Sequence, residues 1–231
     1  MKKLNKTTMA LVALAAAAAL QTAQAGLTTD TLSDLQANGG SLSIGDKTFS
    51  GFASSPVGLT SFDASQITVT ASVGTDGTYY LAWTGNMSLA GSGTAPTTAD
   101  LLLQYVVTAS AGSISMIDQS YTGSGTLKID ETVATGSQNG PIVAQSDLTG
   151  TFNSDFTGAN LNVDPSQSVL YVTKDISFTA DGLGDTTTVS RVSQSFHQTS
   201  VPEPSTVTAG VLLLLPFGVS TMRILRKKKV S

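Results

Sequence analysis

Residues 67–89 read ITVTASVGTDGTYYLAWTGNMSL, and the fold turns on how this stretch alternates. Ile67, Val69, Ala71 and Val73 fall on one face of an extended chain, with Thr68, Thr70 and Ser72 on the other. Successive side chains of a strand point to opposite sides, so this pattern predicts a strand with one buried and one wet face. Thr75-Asp76-Gly77 follows, and a glycine there supplies the backbone freedom that a tight hairpin turn needs. The second run, 79–89, is again rich in aromatic and apolar residues. Trp83 shares its parity with Leu81 and Tyr79, which assigns the single tryptophan to the core side.

The same pattern extends through the chain. Short β-rich runs at 101–109, 113–117, 125–133, 146–152, 168–180 and 186–196 are separated by Gly, Asp, Asn, Ser and Pro. In 125–133, Thr126, Lys128 and Asp130 oppose Leu127 and Ile129. Leu101, Leu102, Leu103, Tyr105, Val106 and Val107 form a denser run, predicting a central strand covered on both sides. SLSIGDKTFSGF at 41–52 reads as an opening hairpin with a salt-paired turn at Gly45-Asp46-Lys47. A helix is expected only over residues 29–36, with Thr29 or Asp30 as its N-cap and Gly39 as its stop. With no βαβ rhythm and no repeat period, the fold class is all-β, an antiparallel β-sandwich or jelly-roll-like domain.

The charge distribution narrows the function. Between Gly26 and Ser200 four basic residues, Lys47, Lys128, Lys174 and Arg191, face fifteen acidic ones, a net charge of −11. A field of that sign repels phosphates and excludes nucleic acid as a partner. Cysteine is absent, which removes disulfides, thiol nucleophiles and cysteine metal cages.

Sites for chemistry are sparse. The single histidine, His197, lies just past the last strand-like run, and there is no G-x-S-x-G elbow. Beside a linker it is poorly placed to hold a Ser–His–Asp relay, so it reads as a surface histidine at the domain edge. Asp130 and Glu131 are adjacent on a strand and point to opposite faces. Asp181 and Asp185 flank a glycine-rich loop of the kind that can wrap Ca²⁺, but the D-x-D-x-D-G spacing is missing and an ordinary acidic turn is the plainer reading. Tyr79, Tyr80 and Trp83 are the candidates for stacking on a sugar, set against the core role that parity gives Trp83. No cofactor is called for, and the protein is read as no enzyme.

The two ends carry the sharpest signals. Lys2, Lys3 and Lys6 precede an apolar run at 9–20, then Ala23-Gln24-Ala25. This is the order of a secretory signal peptide over residues 1–25, with small residues Ala23 and Ala25 before a cut that leaves Gly26 first. The domain then spans 26–197 and a linker 198–206 holds Val201-Pro202-Glu203-Pro204-Ser205-Thr206. Each proline restricts the residue before it, so Glu203 is displayed on a stiff, extended segment suited to another protein's cleft. Residues 207–225 are apolar up to Arg223, long enough to cross a bilayer core as one helix. Arg226, Lys227, Lys228 and Lys229 form the stop-transfer tail over 226–231 and keep it cytoplasmic.

This order of Pro-Glu-Pro, apolar span and basic tail resembles the PEP-CTERM sorting signal of Gram-negative-type bacteria. The resemblance covers about thirty residues and implies that the chain is a substrate of exosortase, a membrane-embedded transpeptidase-like enzyme acting near the motif. It further implies transient residence in the inner membrane, delivery to the cell surface or extracellular matrix, and a link to exopolysaccharide or biofilm. A carbohydrate-binding module or adhesin on the same anchor, with extracellular polysaccharide as partner, is the alternative.

Overall fold

The computed structural model describes residues 26–199, apart from 38, 153, 154 and 158–160. The signal-peptide residues Ala23 and Ala25, the Val201–Thr206 motif, the span 207–225 and the tail Arg226 to Lys229 lie outside the described residues. Among the described residues no helix is long and apolar enough to cross a membrane.

Among the described residues twelve strands make up most of the chain: β1 (Leu27–Thr31), β2 (Leu42–Ile44), β3 (Lys47–Val57), β4 (Thr68–Val73), β5 (Tyr79–Ala90), β6 (Thr97–Ala109), β7 (Ser113–Ala134), β8 (Ile142–Phe152), β9 (Asp155–Thr157), β10 (Leu161–Gln167), β11 (Val169–Ala180) and β12 (Thr186–Thr199). Every pairing among them is antiparallel. The hydrogen-bonded path runs β1-β4-β5-β12-β7-β11-β6-β3-β2, with β8, β9 and β10 also on β7. The expected hairpin is present: β4 pairs β5, and Asp76 accepts from the Thr78 backbone N–H in the turn between them. The β2–β3 hairpin also forms, with Gly45 at φ 56° and Lys47 Nζ 2.8 Å from the Asp46 carboxylate.

β7 is the hinge of this architecture. Its first half pairs with β12, β9 and β10, and its second half with β11 and β8. The runs 113–117 and 125–133, expected as two strands, are therefore one strand of 22 residues. The join is Gly123-Ser124-Gly125. A Cβ on Gly123 would meet the Thr188 carbonyl oxygen at 2.2 Å, and Gly125 sits at φ 98° with Thr187 against it. Glycine is required at both points for β7 to pass from one sheet to the other without losing its partners.

The two sheets close on a shared core. Val69 and Ala71 of β4, Leu81 and Trp83 of β5, and Val192 and Phe196 of β12 are buried on one side. Phe49 of β3, Leu101, Leu103 and Tyr105 of β6, and Val172, Ile176 and Phe178 of β11 are buried opposite. Trp83 lies 5.1 Å from Tyr105, and Phe49 lies 5.2 Å from Phe196, centroid to centroid across the sandwich. β6 is central by its pairing with β11 and β3, but Leu102 and Val106 on its outer face are only half-covered.

The helix expected at 29–36 forms later and shorter, as α1 (Leu32–Ala37). Thr29 and Asp30 belong to β1, which pairs with β4, and Thr31 takes the cap by accepting from the Asp34 backbone N–H at 3.2 Å. An edge pairing thus consumed the first residues of the expected helix, and the next threonine served as cap. Gly39 does end it, at φ 61°, and the Gly40 N–H bonds the Leu35 carbonyl at 2.9 Å.

Candidate functional site

Core packing turns one set of side chains inward and leaves the alternate set on the outer face of the β4-β5-β12-β7 sheet. Register aligns four of these in a row: Ser72 of β4 opposes Tyr80 of β5, Tyr80 opposes Ser195 of β12, and Ser195 opposes Asp118 of β7. His197 lies two residues along β12 on the same face. Ser195 Oγ donates to Asp118 Oδ2 at 3.0 Å, and His197 Nε2 lies 2.8 Å from the same oxygen. Asp118 Oδ1 has no hydrogen-bond partner among the described residues.

The β4–β5 turn borders this row. A Cβ on Gly74 would touch the Asp76 carboxylate and, at 3.2 Å, the Tyr80 ring. The Thr78 backbone N–H and hydroxyl hold Asp76 below the ordinary carboxylate range, with a smaller contribution from the charge of His197. The result is a half-exposed tyrosine edge beside three hydrogen-bonding groups, with a charge-bearing turn at the margin.

This arrangement is not a nucleophilic relay. In such a relay the carboxylate and the hydroxyl engage opposite ring nitrogens of the imidazole, so that a proton can be taken at one and balanced at the other. Here Ser195 Oγ, at 3.3 Å, and Asp118 Oδ2 both approach Nε2. Ser195 is buried and Asp118 Oδ1 is closed to solvent, so His197 and the half-buried Tyr80 are the members of the set that face a polar ligand.

The other sequence candidates distribute differently. Trp83 is 1% exposed and packs on Tyr105, so it cannot stack on anything in solvent; its place among the sugar-stacking candidates is corrected to the core. Tyr79 faces inward at the end of the sandwich, with Lys47 Nζ 4.4 Å from its ring centroid and its hydroxyl 3.5 Å from the Asp46 backbone N–H. Tyr80 alone of the three is on the outer face. Asp185 spends its carboxylate on the backbone N–H groups of Asp181, at 2.7 Å, and Thr186, at 2.9 Å, in the β11–β12 turn. Among the described residues no group of three or more His, Cys, Asp or Glu is placed to hold a metal ion. His197 is within β12 rather than past it, and no sequence signal singles out its partners Ser195 and Asp118. Asp118 is 79 residues from His197, and only the β7–β12 register brings them together.

Fold and face together define an antiparallel β-sandwich with a polar outer sheet. No protein-family model matches the chain, and no curated protein matches it. Among solved structures the chain is similar to TmCBM61 in complex with β-1,4-galactotriose, at 11% identity and a TM-score of 0.34, over 64% of this chain and 89% of that one. It is similar to the family 32 CBM from C. perfringens NanJ in complex with galactose, at 13% identity and a TM-score of 0.26, over 62% and 93%. It is also similar to a family two carbohydrate esterase from Cellvibrio japonicus, at 12% identity and a TM-score of 0.29, over 77% of this chain and 37% of that one.

Proposed function

We propose that this chain is an exported, non-enzymatic β-sandwich, sorted by exosortase through Val201-Pro202-Glu203-Pro204-Ser205-Thr206 to the surface or matrix of a Gram-negative-type bacterium. The observation that carries this reading is the ordered tripartite signal in residues 201–229, which follows closely on β12. In the sequence the Pro-Glu-Pro segment begins a few residues past β12, and its prolines hold Glu203 extended for a processing enzyme. The shared use of His197 Nε2 by Ser195 and Asp118 supports a role other than hydrolysis. Replacing Pro202, Glu203 and Pro204 with alanine should leave export intact and retain the protein in the inner membrane, read by fractionation. Undiminished surface delivery of that variant would overturn the sorting role.

A second reading is favoured by the Tyr80–Ser195–Asp118–His197 face. A half-exposed aromatic edge beside the His197 ring suits the apolar faces and hydroxyls of an extracellular polysaccharide. On a glycan array, Tyr80→Ala and His197→Ala should each abolish binding while circular dichroism stays unchanged. Retention of any bound glycan by both variants would sink this reading.

A further inference from the structure

The interior of the sandwich contains a set of polar groups that neither the sorting signal nor the outer face uses. Lys174 of β11 and Glu131 of β7 are paired in register, and both are 0% exposed. Lys174 Nζ lies 3.1 Å from Glu131 Oε2, 3.4 Å from the Tyr121 hydroxyl and 3.0 Å from Gln119 Oε1. Gln119 comes from the other half of β7, so the lysine reaches from one sheet to a carboxamide of the other. The Tyr121 hydroxyl donates to the same Gln119 oxygen at 2.7 Å, and Gln119 Nε2 donates to Ser146 Oγ at 2.5 Å. Beyond its ion pair with Lys174, neither Glu131 oxygen has a hydrogen-bond partner among the described residues.

Each group matches a component that amide exchange requires. The amine is a nucleophile held against a carboxamide through a hydrogen bond to its oxygen, the carboxylate beside it can take and return a proton, and the phenol polarises the carbonyl where negative charge develops. Burial depresses the Lys174 amine below the ordinary lysine range, which favours the neutral, nucleophilic form. Burial also holds the Tyr121 phenol well above its ordinary value, so it remains a donor. Water is excluded, so hydrolysis of the amide does not compete, and the fold supplies the proximity that a reaction between two weak partners needs.

We propose that Lys174 and Gln119 join in an autocatalytic intramolecular amide bond, with Glu131 as proton carrier and Tyr121 as carbonyl donor. Nζ bonds to Gln119 Cδ, and the proton lost from nitrogen passes to Glu131. Glu131 returns it to the departing Nε2 as the Cδ–Nε2 bond breaks and ammonia leaves. No electrons change hands and no co-reactant is needed. The product ties β11 to the first half of β7 across the sandwich.

The test is intact mass and peptide mapping of the purified full-length protein after it has folded. The expected result is one linked species joining the peptides that carry Gln119 and Lys174, lighter than their sum by one ammonia. Glu131→Gln, nearly isosteric, should fold by circular dichroism and yield the two peptides unlinked, and Tyr121→Phe should slow the linkage. Separate, full-mass peptides from the wild-type protein would overturn the proposal. A linkage lighter by one water and mapping to Glu131 would overturn the assignment of Gln119, and full linkage in Glu131→Gln would remove Glu131 as proton carrier.

Discussion

Tyr105 and Tyr121 are buried in the middle of the sandwich, and loss of solvation raises both phenols well above their ordinary value of 10.0, with the Glu131 charge adding to the shift. The unfolded chain releases both protons near pH 10, whereas the fold keeps them. The folded state then binds more protons, so the stability these residues contribute is full below pH 10 and declines as pH rises further. In a spectrophotometric titration of the five tyrosines, these two should ionise only as the protein unfolds, and smooth ionisation of all five in the folded state would contradict the burial. At this scale parity is a good guide. It puts Trp83 inside beside Leu81, and it separates Asp130, paired with Lys128 at 2.8 Å on the outside, from Glu131 within. Parity cannot reveal that Glu131 meets Lys174, or that Asp118 meets His197, because those encounters depend on which strands become neighbours.

Among the elements, β7 shows what a glycine-bearing stretch conceals. Gly123 and Gly125 resemble the punctuation of a turn, which predicts two strands on either side of it. The glycines instead bend one strand, since backbone of β12 approaches so closely that only a hydrogen fits. Gly125→Ala imposes a side chain at φ 98° against Thr187 and should lower stability by about 1–3 kcal/mol, seen as a lower urea midpoint. An unchanged midpoint would show that the strand can cross between sheets without that conformation. Gly77, which lies in a turn with nothing within 4 Å of an added Cβ, carries only the strain of φ 81° and serves as the control. The helix starts later than expected for a related reason. Thr29, Asp30 and Thr31 are all competent caps, and the pairing of β1 with β4 decides among them.

For the whole molecule, antiparallel strands and a two-layer class are legible because hydrophobic alternation repeats in run after run. The order of strands is not, because β12 fits between β5 and β7 and β1 pairs with β4, partners distant in sequence. Since β7 belongs to both sheets, neither can lose its strands without exposing the core of the other. Residues 26–199 produced alone should therefore unfold in urea in one transition, with fluorescence and circular dichroism coinciding. Two separated transitions would mean that the sheets are independent.

The position of β12 also decides how the domain bears a pull. Any tension transmitted from residues beyond 199 enters at the end of a strand that is hydrogen-bonded along both edges, to β5 and to β7. Ladder bonds in antiparallel sheets run across the strands, so a tug along β12 loads many of them together. An edge strand such as β1, pulled sideways, would give up its bonds singly, in sequence. Resistance to such a pull is therefore set by how fast two ladders slide rather than by how easily one peels.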